Sequence, residues 1–255
     1  MGARTLFGRR VIYADVTEIN DNNIIDVLQK ALFTHLMNQA DINYLYRYYK
    51  GDQPILYRKK DVRPEINNKV VENRANEIVS FKVGYLMGEP VQYVSRKDDK
   101  GIAEAVTRLN DYTLSEDKPS EDAELAEWWH ICGTSYRMVL PDGEADLEED
   151  EAAFEIYTLD PRFAFVVYST ALGNPPIMGV KYVLKDDGVL VFSCYTDDHF
   201  YEVENTWAIR RSEEQYLGIP IIEYPANKSR LGAFEIVLPL LDAINTTESN
   251  RIDGV

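Results

Sequence analysis

The apolar residues of this chain change their repeat at Gly133, and that change most narrows the folds open to it. Before Gly133 they recur every three or four residues; beyond it they alternate. A three-to-four repeat keeps one face of a helix apolar, whereas alternation puts every second side chain on the same side of a strand. Helices segregated ahead of a meander of strands predict an α+β fold rather than alternating βαβ units.

In the helical part, residues 1–22 read as an N-terminal arm with a short strand at Val11–Val16. Ile24, Ile25, Leu28, Leu32 and Leu36 mark a first amphipathic helix, and Ile42–Tyr49 a second that stops at Gly51. After a linker containing Pro54 and Pro64, the longest helix is expected from about Asn68 to Met87. Val71, Ala75, Ile78, Val79 and Leu86 form its apolar stripe, and Gly88-Glu89-Pro90 ends it. Two shorter helices are expected at 101–111 and 121–132. Ser120 would cap the second, and Glu121, Asp122 and Glu124 suit the positive end of its dipole.

In the strand part, Tyr136–Leu140 and Phe154–Tyr157 flank a loop rich in acids, among them Glu144, Asp146, Glu148, Glu149 and Asp150. So many like charges stay in water. Phe163–Tyr168, Val180–Leu184, Val189–Tyr195, Phe200–Val203 and Trp207–Arg210 complete an antiparallel set, with Asp187-Gly188 as a tight turn. A further strand, Ile219–Tyr224, is broken by Pro225, Asn227 and Ser229. From Phe234 a last helix begins, with Val237, Leu238, Leu241 and Ile244 on one face and Glu235, Asp242 and Glu248 off it. Nothing in the sequence stops it before Gly254, and nothing beyond it offers a surface to pack on.

Composition excludes several functions. With 43 acidic and 27 basic residues the formal charge is −16, which argues against a surface that binds nucleic acid by neutralising phosphates. Arg58-Lys59-Lys60 and Arg96 with Lys97 and Lys100 are the only basic clusters near aromatic residues, and inter-subunit ion pairing is their expected use. The sequence holds no run of about 18 apolar residues and no signal-peptide pattern, so no membrane partner is expected. Two cysteines, Cys132 and Cys194, cannot build a disulfide framework and read as small core residues. His130 and Cys132 stand two apart on a helix and face different ways, which leaves a zinc site without partners. No phosphate-binding loop, dinucleotide fingerprint, serine-hydrolase elbow or zinc-protease motif occurs, so neither catalysis nor a cofactor or metal is expected. Tyr44, Tyr46, Tyr48 and Tyr49 crowd one short helix. Either they cap a core at home, or one face meets a neighbour, where tyrosine is favoured.

Five signposts occur in order. Tyr48-Tyr49-Lys50-Gly51 closes an early helix. Asn67-Asn68-Lys69, Gly88-Glu89-Pro90 and Val91-Gln92-Tyr93 form a second block; Gly133-Thr134-Ser135-Tyr136 and Asp160-Pro161 follow. Last comes Gly218-Ile219-Pro220-Ile221-Ile222-Glu223-Tyr224, an Asn-containing loop, and a helix running through Leu240-Leu241-Asp242-Ala243-Ile244-Asn245. Together they resemble the portal proteins of tailed double-stranded DNA bacteriophages, of siphophage type. Because family members continue past this point, the chain is similar to the N-terminal part of one.

The resemblance implies an arm at 1–22, a wing-like α+β domain at 23–230 and, at 231–255, the start of a long stem helix, with the rest of the stem, the clip and the crown absent. It implies a non-enzymatic structural subunit of a ring of about twelve copies, closed head to tail at one capsid vertex. Double-stranded DNA would pass through without sequence-specific binding. A terminase motor, scaffold or capsid protein and head-completion proteins would be its partners, first in the host cytoplasm and then in the virion. The subunit contacts expected on this basis are Val71, Ala75 and Ile78 on the Asn68–Met87 helix, and Glu235, Leu238, Asp242 and Asn245 at the start of the stem, with the acidic loop facing a partner at the periphery. The alternatives are a monomeric adaptor or binding module sharing the fold, and a metal-dependent hydrolase or nuclease built on the acidic residues.

Overall fold

The structure, a computed structural model, describes residues 7–96, 100–143, 145, 151–216 and 218–254. The acidic-loop positions Glu144, Asp146, Glu148, Glu149 and Asp150 lie outside the described residues. Helices do precede strands, and the fold is α+β.

One helix, α1 (Ile24–Tyr49), replaces the two expected before Gly51. No glycine or proline interrupts residues 37–41, and the polar residues that break the apolar stripe there are buried for a purpose. The Asn38 amide grips the backbone of Arg10, its Oδ1 accepting from the Arg10 N–H at 2.9 Å and its Nδ2 donating to the Arg10 carbonyl at 2.8 Å. The next helix, α2, starts late, at Arg74–Met87, and is not the longest. Residues 67–73 form no helix; the N–H groups of Asn68, Val70 and Glu72 bond instead to side chains of the last helix, and Asn73 caps α2 by accepting from the Asn76 N–H. Helices α3 (Lys100–Ser115) and α4 (Lys118–Cys132) follow. Ser120 is not the cap of α4. That position falls to Asp117, whose left-handed φ of 49° turns the chain between the two helices.

Nine strands are seen among the described residues: β1 (Ile12–Ala14), β2 (Thr134–Pro141), β3 (Phe154–Leu159), β4 (Ala164–Ser169), β5 (Pro176–Leu184), β6 (Leu190–Tyr195), β7 (His199–Glu204), β8 (Ile209–Glu214) and β9 (Ile221–Pro225). They form two sheets rather than one antiparallel set. Strands β4 to β8 make the expected meander, and β1 from the arm adds to β4 in parallel. The second sheet has the order β3-β2-β9, so the strand before the last helix returns to pair with the one after Gly133. The outer strand β8 is exposed along its whole length and carries Arg210, Arg211, Glu213 and Glu214, charges that discourage pairing with another edge.

Two apolar cores result, and α1 belongs to both. Ile24, Val27, Leu28 and Ala31 from its first half pack with Phe165, Val167, Met178, Val180, Phe192 and Val203 of the large sheet and with Ile221 of β9. Ile42, Tyr44, Leu45, Tyr48 and Tyr49 from its second half pack with α2, Trp128 and Ile131 of α4, and the last helix, α5 (Leu238–Asp253). Tyr44, Tyr48 and Tyr49 are therefore home-core residues, and the final helix has a surface to pack on after all. Full burial of side chains this large stabilises by roughly 1.5–3 kcal/mol each.

Candidate functional site

The last helix is the element through which the chain would lead into anything beyond it, and the structure invests its polar interactions at the base of that helix. The approach begins at the α4–β2 corner. Gly133 has φ of 80°, and a Cβ there would lie 2.1 Å from the Arg230 carbonyl oxygen, so only glycine lets the corner meet the 226–233 loop backbone to backbone. The Gly133 carbonyl accepts from the Ala226 N–H, and the His130 carbonyl from the Ala233 N–H. Arg230 donates twice to the Glu223 carboxylate, at 2.6 and 2.9 Å, and the same carboxylate accepts from Thr134 and Tyr168. This pairing ties β9 to β2, β4 and the loop at one point.

Glu235 is the deepest charge in the region. It lies off the apolar helical repeat, yet its side chain has no exposed surface, because it sits in a short 3-10 turn before α5 rather than on α5 itself. Arg9 of the arm reaches it at 2.5 Å, with 1% of the Arg9 side chain exposed. The Gly8 N–H donates to one carboxylate oxygen at 3.1 Å and the Gly232 N–H to the other at 2.9 Å, while Arg9 also donates to the Cys132 carbonyl. The arm is thereby bolted to the lead into α5.

Leu238 and Leu241 of α5 enter the helical core, and Phe234, ahead of the turn that leads into α5, stacks on Tyr48 at 5.9 Å between ring centres. The Tyr48 hydroxyl donates to Asp242 at 2.9 Å. Burial raises the Asp242 carboxyl, and burial together with that acceptor raises the Tyr48 hydroxyl well above the usual tyrosine range. At the far end Asp253 accepts from Arg58 at 2.9 Å and Lys60 at 2.6 Å, so these two bases of the Arg58-Lys59-Lys60 cluster are spent within the chain rather than between subunits. Hydrogen bonds from Lys60 and the Asn68 amide hold the Asp253 carboxyl far below the ordinary carboxylate range.

Of the expected contact residues, Ala75, Glu235, Leu238 and Asn245 are buried inside the chain, Asp242 is engaged by Tyr48, and Val71 and Ile78 are half-buried. Val71 is not on a helix. On and beside the same elements the most exposed apolar side chains are Phe81 and Tyr85 of α2, 71% and 81% exposed and stacked on each other, Ile236 in the turn before α5, 73% exposed, and Leu240 at the start of α5, 59% exposed, with Leu86 and Ile252 less so. Arg9 and Gly8 were missed in the sequence, while Arg58 and Lys60 were singled out there for pairing between subunits rather than with Asp253. A signal for the role of Asp253 was present, since Asn245, Ser249 and Asp253 recur every four residues and so share one helical face.

His130 and Cys132 are both buried, and the Cys132 thiol donates to carbonyls within its own corner. Burial pushes the thiol up to about 12 and, with Lys82 nearby, pushes His130 down to about 4. Among the described residues no three His, Cys, Asp or Glu side chains gather as a metal would need, and no helix is long and apolar enough to cross a membrane.

A family model described as phage portal protein, SPP1 Gp6-like, matches residues 20–255, which takes in α1 to α5 and every strand after β1. No curated protein matches the chain. Matched over nearly all of its length, the chain belongs to the SPP1 Gp6-like family of phage portal proteins, structural components of the virion at its head-to-tail connector.

Proposed function

We propose that this chain is the wing and the beginning of the stem of a portal subunit that closes head to tail into a ring around double-stranded DNA. The family match across 20–255 carries the reading. The fold is consistent with it, because an α5 bolted to the arm, the α4–β2 corner and the 67–73 segment can transmit load between a stem and a wing. The negative formal charge also suits a wall past which DNA must slide rather than stick. Contacts between neighbours pass through exposed side chains on and beside the expected helices, Phe81 and Tyr85 of α2, Ile236 in the turn before α5 and Leu240 at the start of α5, and not through the buried residues beside them. A ring built this way serves as the platform for the packaging motor and for head-completion proteins, and it acts by geometry rather than by catalysis.

The test is negative-stain imaging of the protein expressed from its whole reading frame. Uniform rings with a central hole support the proposal; single subunits of one size favour an adaptor that shares the fold. Phe81→Ser with Ile236→Ser should then reduce rings to subunits while leaving the circular dichroism spectrum unchanged.

A further inference from the structure

Residues 67–73 lie along α5 as a ladder with a regular step. The Asn68 N–H donates to Asp253 at 2.8 Å, the Val70 N–H to the Ser249 hydroxyl at 3.0 Å, and the Glu72 N–H to Asn245 at 2.8 Å. Every second residue of the extended segment therefore meets every fourth residue of the helix, running the opposite way. The steps match because four helical residues rise about 6 Å and two extended residues span about 6.6 Å. The ladder is not even along its length. Its inner rung is sealed, with Asn245 fully buried and donating to Gln53, which is itself 1% exposed and bonded to Asn73 and the Tyr48 carbonyl. Its outer rung is held by charge, with the Asp253 side chain 6% exposed and those of Arg58 and Lys60, which face it, 15% and 29% exposed. Slippage by one helical turn is blocked, since it would bring Asp242 and Asn245 to where Leu238 and Leu241 pack.

We propose that residues 67–73 form a peelable latch on α5, which fixes the helix in register when closed and opens one rung at a time from Asp253 inward. Opening frees the last two turns of α5 to change direction while Leu238 and Leu241 stay packed. The use of that freedom, a change of angle between stem and wing, rests on the portal reading; the latch itself does not.

Amide exchange of the full chain, resolved residue by residue, tests it. Asn68, Val70 and Glu72 should be protected and Lys69 and Val71 should not, with protection rising from Asn68 to Glu72. Asp253→Ala should speed exchange at Asn68 by about tenfold and leave Glu72 within about twofold, and Ser249→Ala should act mainly on Val70. Salt near 1 M should weaken Asn68 first, because the clasp there is ionic. Uniform protection across 68–72, or loss of all three rungs together in Asp253→Ala, overturns the latch. Graded protection in a full-length protein that forms no rings upholds the latch and removes the portal reading.

Discussion

Arg9→Met is the substitution whose outcome the structure most sharply sets. It deletes the charge facing Glu235 and keeps most of the apolar stem that fills the same space. The carboxylate left behind has no exposed surface, and its remaining partners are two backbone amides, those of Gly8 and Gly232. Breaking a buried ion pair from one side costs about 3–5 kcal/mol, since an uncompensated charge stays buried. The two amides place this case at the low end, about 3 kcal/mol. For a chain of this size the urea dependence is near the top of the usual range, about 3 kcal/mol per molar, so the midpoint of unfolding should fall by about 1 M. Adding Glu235→Gln removes the orphaned charge and keeps one oxygen for one amide, which should return the double variant about halfway to the parent. Glu235→Gln alone leaves Arg9 buried without its charge partner and should cost a similar amount, so the two losses should be far from additive, a coupling measurable as a double-mutant cycle from four urea titrations. A single variant that shifts the midpoint by less than about 0.3 M, or a double variant less stable than Arg9→Met, would refute the claim that this pair holds the arm to the lead into α5.

Three other outcomes follow from single sites. Gly133→Ala forces a Cβ to within 2.1 Å of the Arg230 carbonyl at a φ of 80°, so it should lose about 2 kcal/mol or more in urea titration; Gly143→Ala, which meets nothing within 4 Å, should stay within about 0.5 kcal/mol. His35 is kept neutral by burial, its folded value pushed down to about 4 from 6.5. The unfolded chain therefore takes up a proton first as pH falls, and stability that is complete above 6.5 is lost progressively down to 4, by about 3 kcal/mol from this group. His35→Gln should flatten that part of the profile of unfolding free energy against pH, and an unchanged slope would count against a buried neutral imidazole. Tyr48→Phe removes the donor to a partly buried Asp242 and should cost about 1–2 kcal/mol, with the Asp242 titration seen by NMR moving further upward; a downward move would contradict the hydrogen bond.

Local rules made much of this architecture legible from residues alone. The switch at Gly133 separated helices from strands, since a 3.6-residue and a 2-residue repeat cannot be confused over such lengths, and the turn at Asp187-Gly188 and the end of α2 at Gly88 fell where their backbone chemistry puts them. The signposts at Gly133 and Asp160 now have physical content as well. Gly133 admits a backbone crossing, and Asp160 chelates the Arg162 guanidinium, which lies 4.4 Å over the Tyr46 ring. The misplaced boundaries share one cause, which is that a polar residue looks the same in sequence whether it faces water or a distant partner. Asn38 and Asp41 read as the gap between two helices, yet both are buried within one.

The sequence by itself determined the fold class and the order of helices before strands, because those rest on repeats and turn chemistry that act within a few residues; it pointed to the family separately, through the resemblance of its ordered motifs. Tertiary structure alone decided which charges are spent inside the chain. Arg9 meets Glu235 across 226 residues and Asn68 meets Asp253 across 185. Such pairs carry no local signature, since their energy comes from shared burial and not from spacing along the chain. For that reason four of the residues expected to touch a neighbour, Ala75, Glu235, Leu238 and Asn245, are instead buried within the chain.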